Sequence, residues 1–278
     1  MSVWINGRRR SLLEHRDRGL QYGDGIFETM RVRRRRIRLL NFHLERLYTG
    51  CRVLKIRAPK PGLLRRELER IAALRQEGVL KLIVTRGNGA RGYRPSGSER
   101  ATRIVTLHAL PRGVLADAAK AARLRICATP LSTNPSLAGL KTLNRLDSVL
   151  ARAEWRNARI WEGLMRDVDG NWVCGTMSNL FLRRGDDLMT PLLDRCGVAG
   201  VMRRWILQSA AGLHLRAVEC RISWEDLRSA EEVFMSNAVA GIRSVHAIEC
   251  ARSVRGVAEL RFNCSDAAQR LRALLDRQ

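Results

Sequence analysis

The chain is short of lysine, of acidic residues and of aromatics, and it has no long apolar run. Only 27 Asp and Glu stand against 51 Lys and Arg, a formal net charge of +24 over 278 residues. Just five of those cations are lysines, at positions 55, 60, 81, 120 and 141. Aromatics make up 5% of the chain, with no series of the kind on which RNA-recognition folds stack bases. No stretch nears the roughly 18 apolar residues of a membrane span, and the start of the chain lacks a signal-peptide core. That argues against a membrane protein and for a soluble, cytoplasmic one. The seven cysteines (51, 127, 174, 196, 220, 250 and 264) show no CxxC spacing. An odd, scattered set points to free thiols in a reducing compartment, not to disulfides or a metal site.

A large positive charge invites a nucleic-acid reading. The excess is nearly all arginine, however, spread over the whole length, which fits a biased composition as well as a binding stripe. The one dense run, Arg31 to Arg38, has its centre at an expected hairpin turn and reads as a solvated turn. Nucleic acid is therefore disfavoured as a partner, while a basic surface still draws anionic small molecules.

At 45% hydrophobic residues, the chain can bury two cores, and its length suits two domains. Val3-Trp4-Ile5 followed by Asn6-Gly7 predicts a strand and tight turn. Residues 24–33 and 36–40 predict a hairpin. Asn41 is placed to cap a helix over about 42–54, and Leu64, Leu68, Ile71 and Leu74 mark an amphipathic helix after the Pro59–Gly62 break. Strands are expected over 79–85 and 103–110. In the second half, strands are expected over 124–129, 161–168, 171–174, 179–184, 214–221, 232–236 and 244–249. Helices are expected after Lys141 (carrying Leu143, Leu146, Leu150 and Ala153), from Gly200 to about Ala211, after a Ser223 cap, and after a Ser265 cap. Mixed strands and helices in both halves predict two α/β or α+β domains: a smaller one over 1–111, a linker over 112–122 and a larger one over 123–278. There is no internal repeat or low-complexity segment.

Lys141 lies in Leu137-Ala138-Gly139-Leu140-Lys141-Thr142-Leu143-Asn144-Arg145-Leu146. Arginine serves wherever a fixed charge suffices. Only lysine can lose its proton and form a Schiff base. An isolated lysine there is a candidate anchor for a carbonyl cofactor, against the plainer reading of a solvated surface lysine. Other segments join it: Gln21-Tyr22-Gly23-Asp24-Gly25-Ile26-Phe27-Glu28-Thr29, His43-Leu44-Glu45-Arg46-Leu47, Thr85 to Tyr93, Gly175-Thr176-Met177-Ser178-Asn179-Leu180-Phe181 and Gly197 to Arg203. In this order and spacing the chain resembles the class IV pyridoxal-phosphate enzymes over about residues 3–250. That family holds the branched-chain and D-amino-acid aminotransferases and the aminodeoxychorismate lyases, and the Lys141 segment, Gln-Tyr-Gly-Asp-Gly and Arg-Gly-Tyr look most like the lyases.

The resemblance implies a two-domain, D-amino-acid-aminotransferase-like fold with pyridoxal 5'-phosphate at the domain interface, and a homodimer. It implies that Lys141 is the catalytic Schiff-base lysine and that Arg46 clamps the phosphate, for which a bidentate guanidinium is suited. Gly200, Val201 and Met202 open a helix whose N–H groups suit a phosphate dianion, and Asn237 matches a further phosphate contact. Thr29 matches a residue that assists proton transfer in the lyases. Tyr22 matches a pocket tyrosine, and Arg91 and Tyr93 match a loop facing a substrate with two carboxylates. For Arg46, Asn237, Thr29 and Arg91 the plainer readings are a surface arginine, a turn asparagine, a good strand former and a solvated loop charge.

The departure is Cys174, which stands in register where the family has the Glu that keeps the pyridine nitrogen protonated. A buried thiol stays neutral and cannot do that. A weaker electron sink suits a lyase, whose aromatising product drives the reaction, better than a transaminase. The expectation is thus a lyase acting on 4-amino-4-deoxychorismate to give 4-aminobenzoate and pyruvate. The alternatives are a class IV aminotransferase for D- or branched-chain amino acids, a weakly active family member, or a silent or nucleic-acid-binding protein that kept the fold.

Overall fold

Alternation along two long strands sets the first unit. In a computed structural model, which describes residues 2–111, 120–250, 256–262 and 266–277, the chain divides into two compact units. One is residues 1–111 with 140–144, and the other is 112–139 with 145–278. The first contains β1 (Ser2–Ile5), β2 (Arg8–Arg9), α1 (Arg18–Tyr22), β3 (Gly25–Arg33), β4 (Arg36–Ile37), α2 (Leu40–Val53), α3 (Pro61–Ala72), β5 (Glu77–Thr85) and β6 (Thr102–His108). The strands form one sheet in the order β2-β1-β6-β5-β3-β4, antiparallel throughout. Every second residue of β3 and β5 (Ile26, Met30, Val32; Leu80, Leu82, Val84) joins Leu44, Leu47 and Cys51 of α2 and Leu64, Leu68 and Ile71 of α3 in one core, as a period of two requires. The intervening residues Phe27, Thr29, Lys81 and Ile83 point to the other face and are half-buried.

The five residues 140–144 add to this sheet although the rest of their neighbourhood in sequence belongs to the second unit. Phe27 N–H donates to Lys141 O at 3.0 Å, Leu143 N–H donates to Gly25 O at 3.0 Å, and Ile26 and Thr142 form an antiparallel bridge. This pairing delays the next helix to Leu146.

The second unit holds β7 (Ala122–Ile126), α4 (Leu146–Ala153), β8 (Glu162–Arg166), β9 (Trp172–Gly175), β10 (Asn179–Arg184), β11 (Asp187–Pro191), α5 (Val201–Ser209), β12 (Arg216–Cys220), α6 (Trp224–Ser229), β13 (Glu232–Asn237), β14 (Gly241–Glu249), β15 (Glu259–Arg261) and α7 (Asp266–Asp276). Its strands run β12-β11-β10-β13-β14-β7-β8-β9, with β15 on β14. β9 also pairs back to β10 through Cys174 and Asn179, so six strands close on themselves and lose their edges. Leu124, Leu164, Trp172, Leu180, Val233, Met235 and Val245 are buried in one core cluster. A second cluster gathers Cys127, Ala151, Trp155, Ile160, Met165, Cys174 and Cys196.

Several expectations need correcting. Asn41 does not cap α2: Leu39, in a left-handed conformation, holds that position without a side-chain bond, and Asn41 accepts from Arg65 Nη2 at 2.6 Å. Leu74 lies beyond α3 and is exposed, because the chain turns at Ala73. Leu146, Leu150 and Ala153 do not face a core; Ala151 is the buried residue of α4. The short α1, β11 and β15 carry too few residues to show a period. Ser223 does cap α6, in a reciprocal box with Asp226. The Ser265 cap, Cys264 and residues 112–119 of the expected linker lie outside the described residues. Among the described residues, no helix is long and apolar enough to cross a membrane.

Gly163 on β8 measures how tightly the second core is filled. A Cβ there would overlap Cys127 Sγ and come within 2.7 Å of the Trp155 ring. Gly163→Ala should cost about 1–3 kcal/mol, seen as a lower urea midpoint at unchanged m-value. An unchanged midpoint would mean that the Trp155 ring yields without cost.

Candidate cofactor and substrate site

The strap of residues 140–144 fixes where Lys141 can act. Its carbonyl is held by β3, and its ammonium lies 4.3 Å from the centre of the Phe27 ring, within cation–π range. Thr29 sits two residues on along the same strand face. Gly25 makes the close approach possible, since a Cβ there would strike Val84 O and Leu143.

On the opposite face of β3, Glu28 is buried among apolar neighbours and is gripped from α2. Arg46 donates through Nε to its Oε1 at 2.8 Å and through Nη2 to its Oε2 at 2.5 Å, and His43 Nδ1 lies 2.6 Å from the same Oε2. Burial alone would raise the Glu28 pKa; Arg46 and His43 outweigh it and bring the carboxyl down to about 2. Burial lowers His43, and Arg46 and Lys141 reinforce that against the pull of Glu28. The imidazole is then neutral, so Nδ1–H donates to Glu28, and Nε2 is buried without a hydrogen-bond partner. Arg46 is accordingly not a loose surface arginine: a carboxylate fixes the plane of its guanidinium.

The loop after β5 is tied down from below. Arg18 is buried, with Nε on Asp24 at 3.0 Å, Nη1 donating to Gly92 O at 2.9 Å and Nη2 to Tyr93 O at 2.8 Å. Its guanidinium packs 4.8 Å from the centre of the Tyr22 ring. Tyr22 accepts from Gly92 N–H at 3.2 Å and meets the Tyr93 ring edge-on at 5.5 Å. Gly87, at φ +94°, is needed because a Cβ would overlap the Arg100 carbonyl. The Tyr22 and Tyr93 rings are thus in contact, and the Arg91 side chain is exposed.

In the second unit, Cys174 sits at the seam of the closed sheet, opposite Met165 on one side and Asn179 on the other. Burial, with Cys196 and Glu162 nearby, pushes its thiol up to about 12 despite Arg145. The turn that follows is built around Glu162, wholly buried on β8. It accepts from the amides of Gly163, Thr176 and Met177 and from the hydroxyls of Thr176 and Ser178. These donors pull its pKa down, yet burial leaves it raised. Gly200 precedes α5 without a side-chain cap, so the first amides of that helix have no side-chain acceptor from the N-cap. Asn179 Nδ2 donates to Val198 O at 2.8 Å, steadying that approach. Asn237 uses its Oδ1 for the amides of Val239 and Ala240, as a turn asparagine does.

Glu28, His43, Arg18 and Glu162 were not among the expected site residues. The signal for Glu28 was present: a carboxylate at a core-facing position of an alternating strand, with His43 and Arg46 one helical turn apart (i, i+3). Arg18 and Glu162 had none, because most of their partners lie 14 to 75 residues away in sequence.

Glu28 should leave a mark on acid stability. Its folded pKa lies below the ordinary 4.5, so its contribution is whole above about pH 4.5 and lost as the pH falls toward 2. The size is about 3 kcal/mol. Glu28→Gln should be less stable at pH 7 and converge on the parent near pH 2, as read from urea midpoints. Parallel pH profiles for the two proteins would contradict this.

Comparison with known proteins agrees with the geometry. The amino-transferase class IV family matches residues 25–248. Aminodeoxychorismate lyase of Vibrio harveyi is 33% identical over 248 residues, covering 88% of this chain and 90% of that protein. A putative branched-chain-amino-acid aminotransferase of Methanocaldococcus jannaschii is 30% identical over 90% of this chain and 88% of its own length. The crystal structure of 4-amino-4-deoxychorismate lyase from Pseudomonas aeruginosa superposes with a TM-score of 0.92 at 42% identity, covering 99% of this chain and 98% of that one. With the family match over residues 25–248 and these identities over nearly the whole chain, the chain belongs to the class IV aminotransferase family of pyridoxal-phosphate enzymes and has its fold.

Proposed function

We propose that this chain is a pyridoxal-phosphate-dependent lyase that converts 4-amino-4-deoxychorismate into 4-aminobenzoate and pyruvate. The observation that carries the reading is the Lys141 ammonium over Phe27, on the strand face that also bears Thr29. The 42% identity to the Pseudomonas aeruginosa lyase over nearly the whole chain supports it.

The residues present fit the cofactor: a strapped amine, an oriented guanidinium, and helix-start amides with no side-chain acceptor at their N-cap. Lys141 would hold the aldehyde, and Arg46 with the amides of Val201 and Met202 beyond Gly200 would hold the phosphate. The turn at Asn237 would add a contact. When bound, pyridoxal phosphate supplies a carbonyl for the substrate amine and a ring that draws electrons from the neighbouring carbon. Lys141 would serve as the base that takes the proton from C4 of the substrate. The enolpyruvyl C–O bond breaks, the ring becomes aromatic, and Lys141 with Thr29 returns a proton to the departing methylene carbon, giving pyruvate. Tyr22, Tyr93 and Arg91 form the substrate loop, with Arg18 holding it from beneath.

Cys174 would be the side chain beside the ring nitrogen in this reading. Its thiol, held up to about 12, is uncharged at neutral pH and does not keep that nitrogen protonated. Aromatisation supplies the driving force that the weaker sink withholds, which favours elimination over amino transfer. The aminotransferase reading draws on the Methanocaldococcus jannaschii relative. It requires steady, keto-acid-dependent amino transfer.

The protein works as a homodimer in this reading. Leu146, Val149 and Leu150 lie along one side of α4, exposed by 59–74%, an apolar stripe that a second copy would cover. The net charge of +24 favours capture of a dianionic substrate. The cysteines among the described residues are free, which accords with a cytoplasmic setting.

Purified holoenzyme given aminodeoxychorismate should release 4-aminobenzoate and pyruvate in equal amounts, and borohydride should fix the cofactor to the peptide bearing Lys141. A label on another peptide, or no 4-aminobenzoate, would sink the reading. Restoring the carboxylate with Cys174→Glu should raise half-transamination of D- or L-alanine relative to 4-aminobenzoate formation. An unchanged ratio and an unchanged cofactor spectrum would place Cys174 away from the nitrogen.

A further inference from the structure

Met177 is exposed in a protein that buries its other described methionines. Its side chain is 57% exposed, while Met30, Met165, Met189, Met202 and Met235 are at 9% or less. Over residues 172–182 it is the one exposed residue. A single apolar side chain in water is ordinary on a loose surface loop, but this backbone is fixed. Gly175 N–H donates to Ser178 O at 2.7 Å, which leaves Thr176 and Met177 at the tip between β9 and β10. Buried Glu162 accepts from the amides of Thr176 and Met177 and from the hydroxyls of Thr176 and Ser178. Gly175 is needed for this, since a Cβ would come within 2.7 Å of Glu162 Cγ. The Met177 amide is thus held from the buried side, and its side chain is left outside.

The turn also joins the two features that the proposed function assigns to opposite ends of the cofactor. Cys174 precedes it and pairs with Asn179. Asn179 follows it, donates to Val198 O at 2.8 Å and packs against Gly200, where a Cβ would overlap the Asn179 amide oxygen. One rigid loop connects the residue assigned to the pyridine nitrogen with the helix start assigned to the phosphate. A flat ring that spans those ends runs beside the tip, where Met177 is the exposed side chain. A thioether on an unbranched, polarisable chain adapts to an aromatic face and gains from contact with it.

We propose that Met177 is a cofactor-binding residue whose thioether covers one face of the bound pyridine ring. The inference rests on pyridoxal phosphate lying between Cys174 and Gly200, as in the proposed function. With the Cys174 thiol at its edge and the Met177 thioether on its face, the ring meets two uncharged sulfur groups from one hairpin.

The test follows the methionine itself. Hydrogen peroxide turns a thioether into a sulfoxide, one oxygen moving to sulfur and water leaving, and peptide mapping scores each methionine separately. In the full chain stripped of cofactor, Met177 should oxidise readily, while the buried Met30, Met165 and Met235 should not. In holoenzyme, Met177 should oxidise about tenfold more slowly. Inorganic phosphate alone, which brings no ring, should leave the stripped rate unchanged. Affinity gives a second measurement: Met177→Ala should weaken pyridoxal phosphate binding about tenfold, and Met177→Leu less than about threefold. Equal oxidation with and without cofactor, protection by phosphate alone, or an unchanged affinity in Met177→Ala overturns the role of Met177. So does a Met177 that resists peroxide in the stripped protein, which would place it under a subunit contact. Each of these results leaves the lyase reading intact where borohydride still fixes the cofactor to Lys141. A parent that takes up no cofactor removes both.

Discussion

Two backbone hydrogen bonds, from Phe27 N–H to Lys141 O and from Leu143 N–H to Gly25 O, are the constraint on which the site depends. They lay a five-residue strap along the start of β3 and carry Lys141 out of the sequence of the second unit and into the first. A lysine on a free loop would sample many rotamers at a cost of about 2 kcal/mol to immobilise. Here the backbone is already fixed, and the Phe27 ring lies beside the ammonium. Gly25 is the enabling residue, since a side chain there would meet both Leu143 and the carbonyl of Val84.

Two buried carboxylates, one in each unit, have opposite electrostatics, and the reason is the charge of their partners. Glu28 faces a guanidinium and a ring nitrogen, and its pKa falls to about 2. Glu162 faces amides and hydroxyls, which are neutral dipoles, and burial keeps its pKa raised. Glu28 is thus a fixed negative charge that orients Arg46. Glu162 is a hub that shapes the turn between β9 and β10, so the backbone around Cys174 is set by a neighbouring carboxylate even though Cys174 offers none itself.

The arginine excess also has a structural side. Arg18, Arg86, Arg103, Arg123, Arg183 and Arg203 pair with acids within the fold, and Arg18 spends its two terminal nitrogens on loop carbonyls. Part of what reads from composition as surface charge is bracing within the fold.

The sequence by itself determined the family, through ordered motifs around Tyr22, Arg46, Lys141, Asn179 and Gly200, and it determined most long strands, because a period of two over β3, β5 and β10 leaves one face apolar. It also marked Cys174 as a departure, by register alone. Tertiary structure decided the rest. Leu146 and Leu150 have helical spacing yet point outward, because the strap restarts the helix at Leu146 and turns Ala151 to the core. Asn41 had capping chemistry, but Arg65 took its oxygen. Arg18, Glu28 and Glu162 gained their roles from partners brought in by chain folding, up to 75 residues away for Arg18. Local propensity encodes the elements; the partners of a buried charge are non-local, and only packing names them.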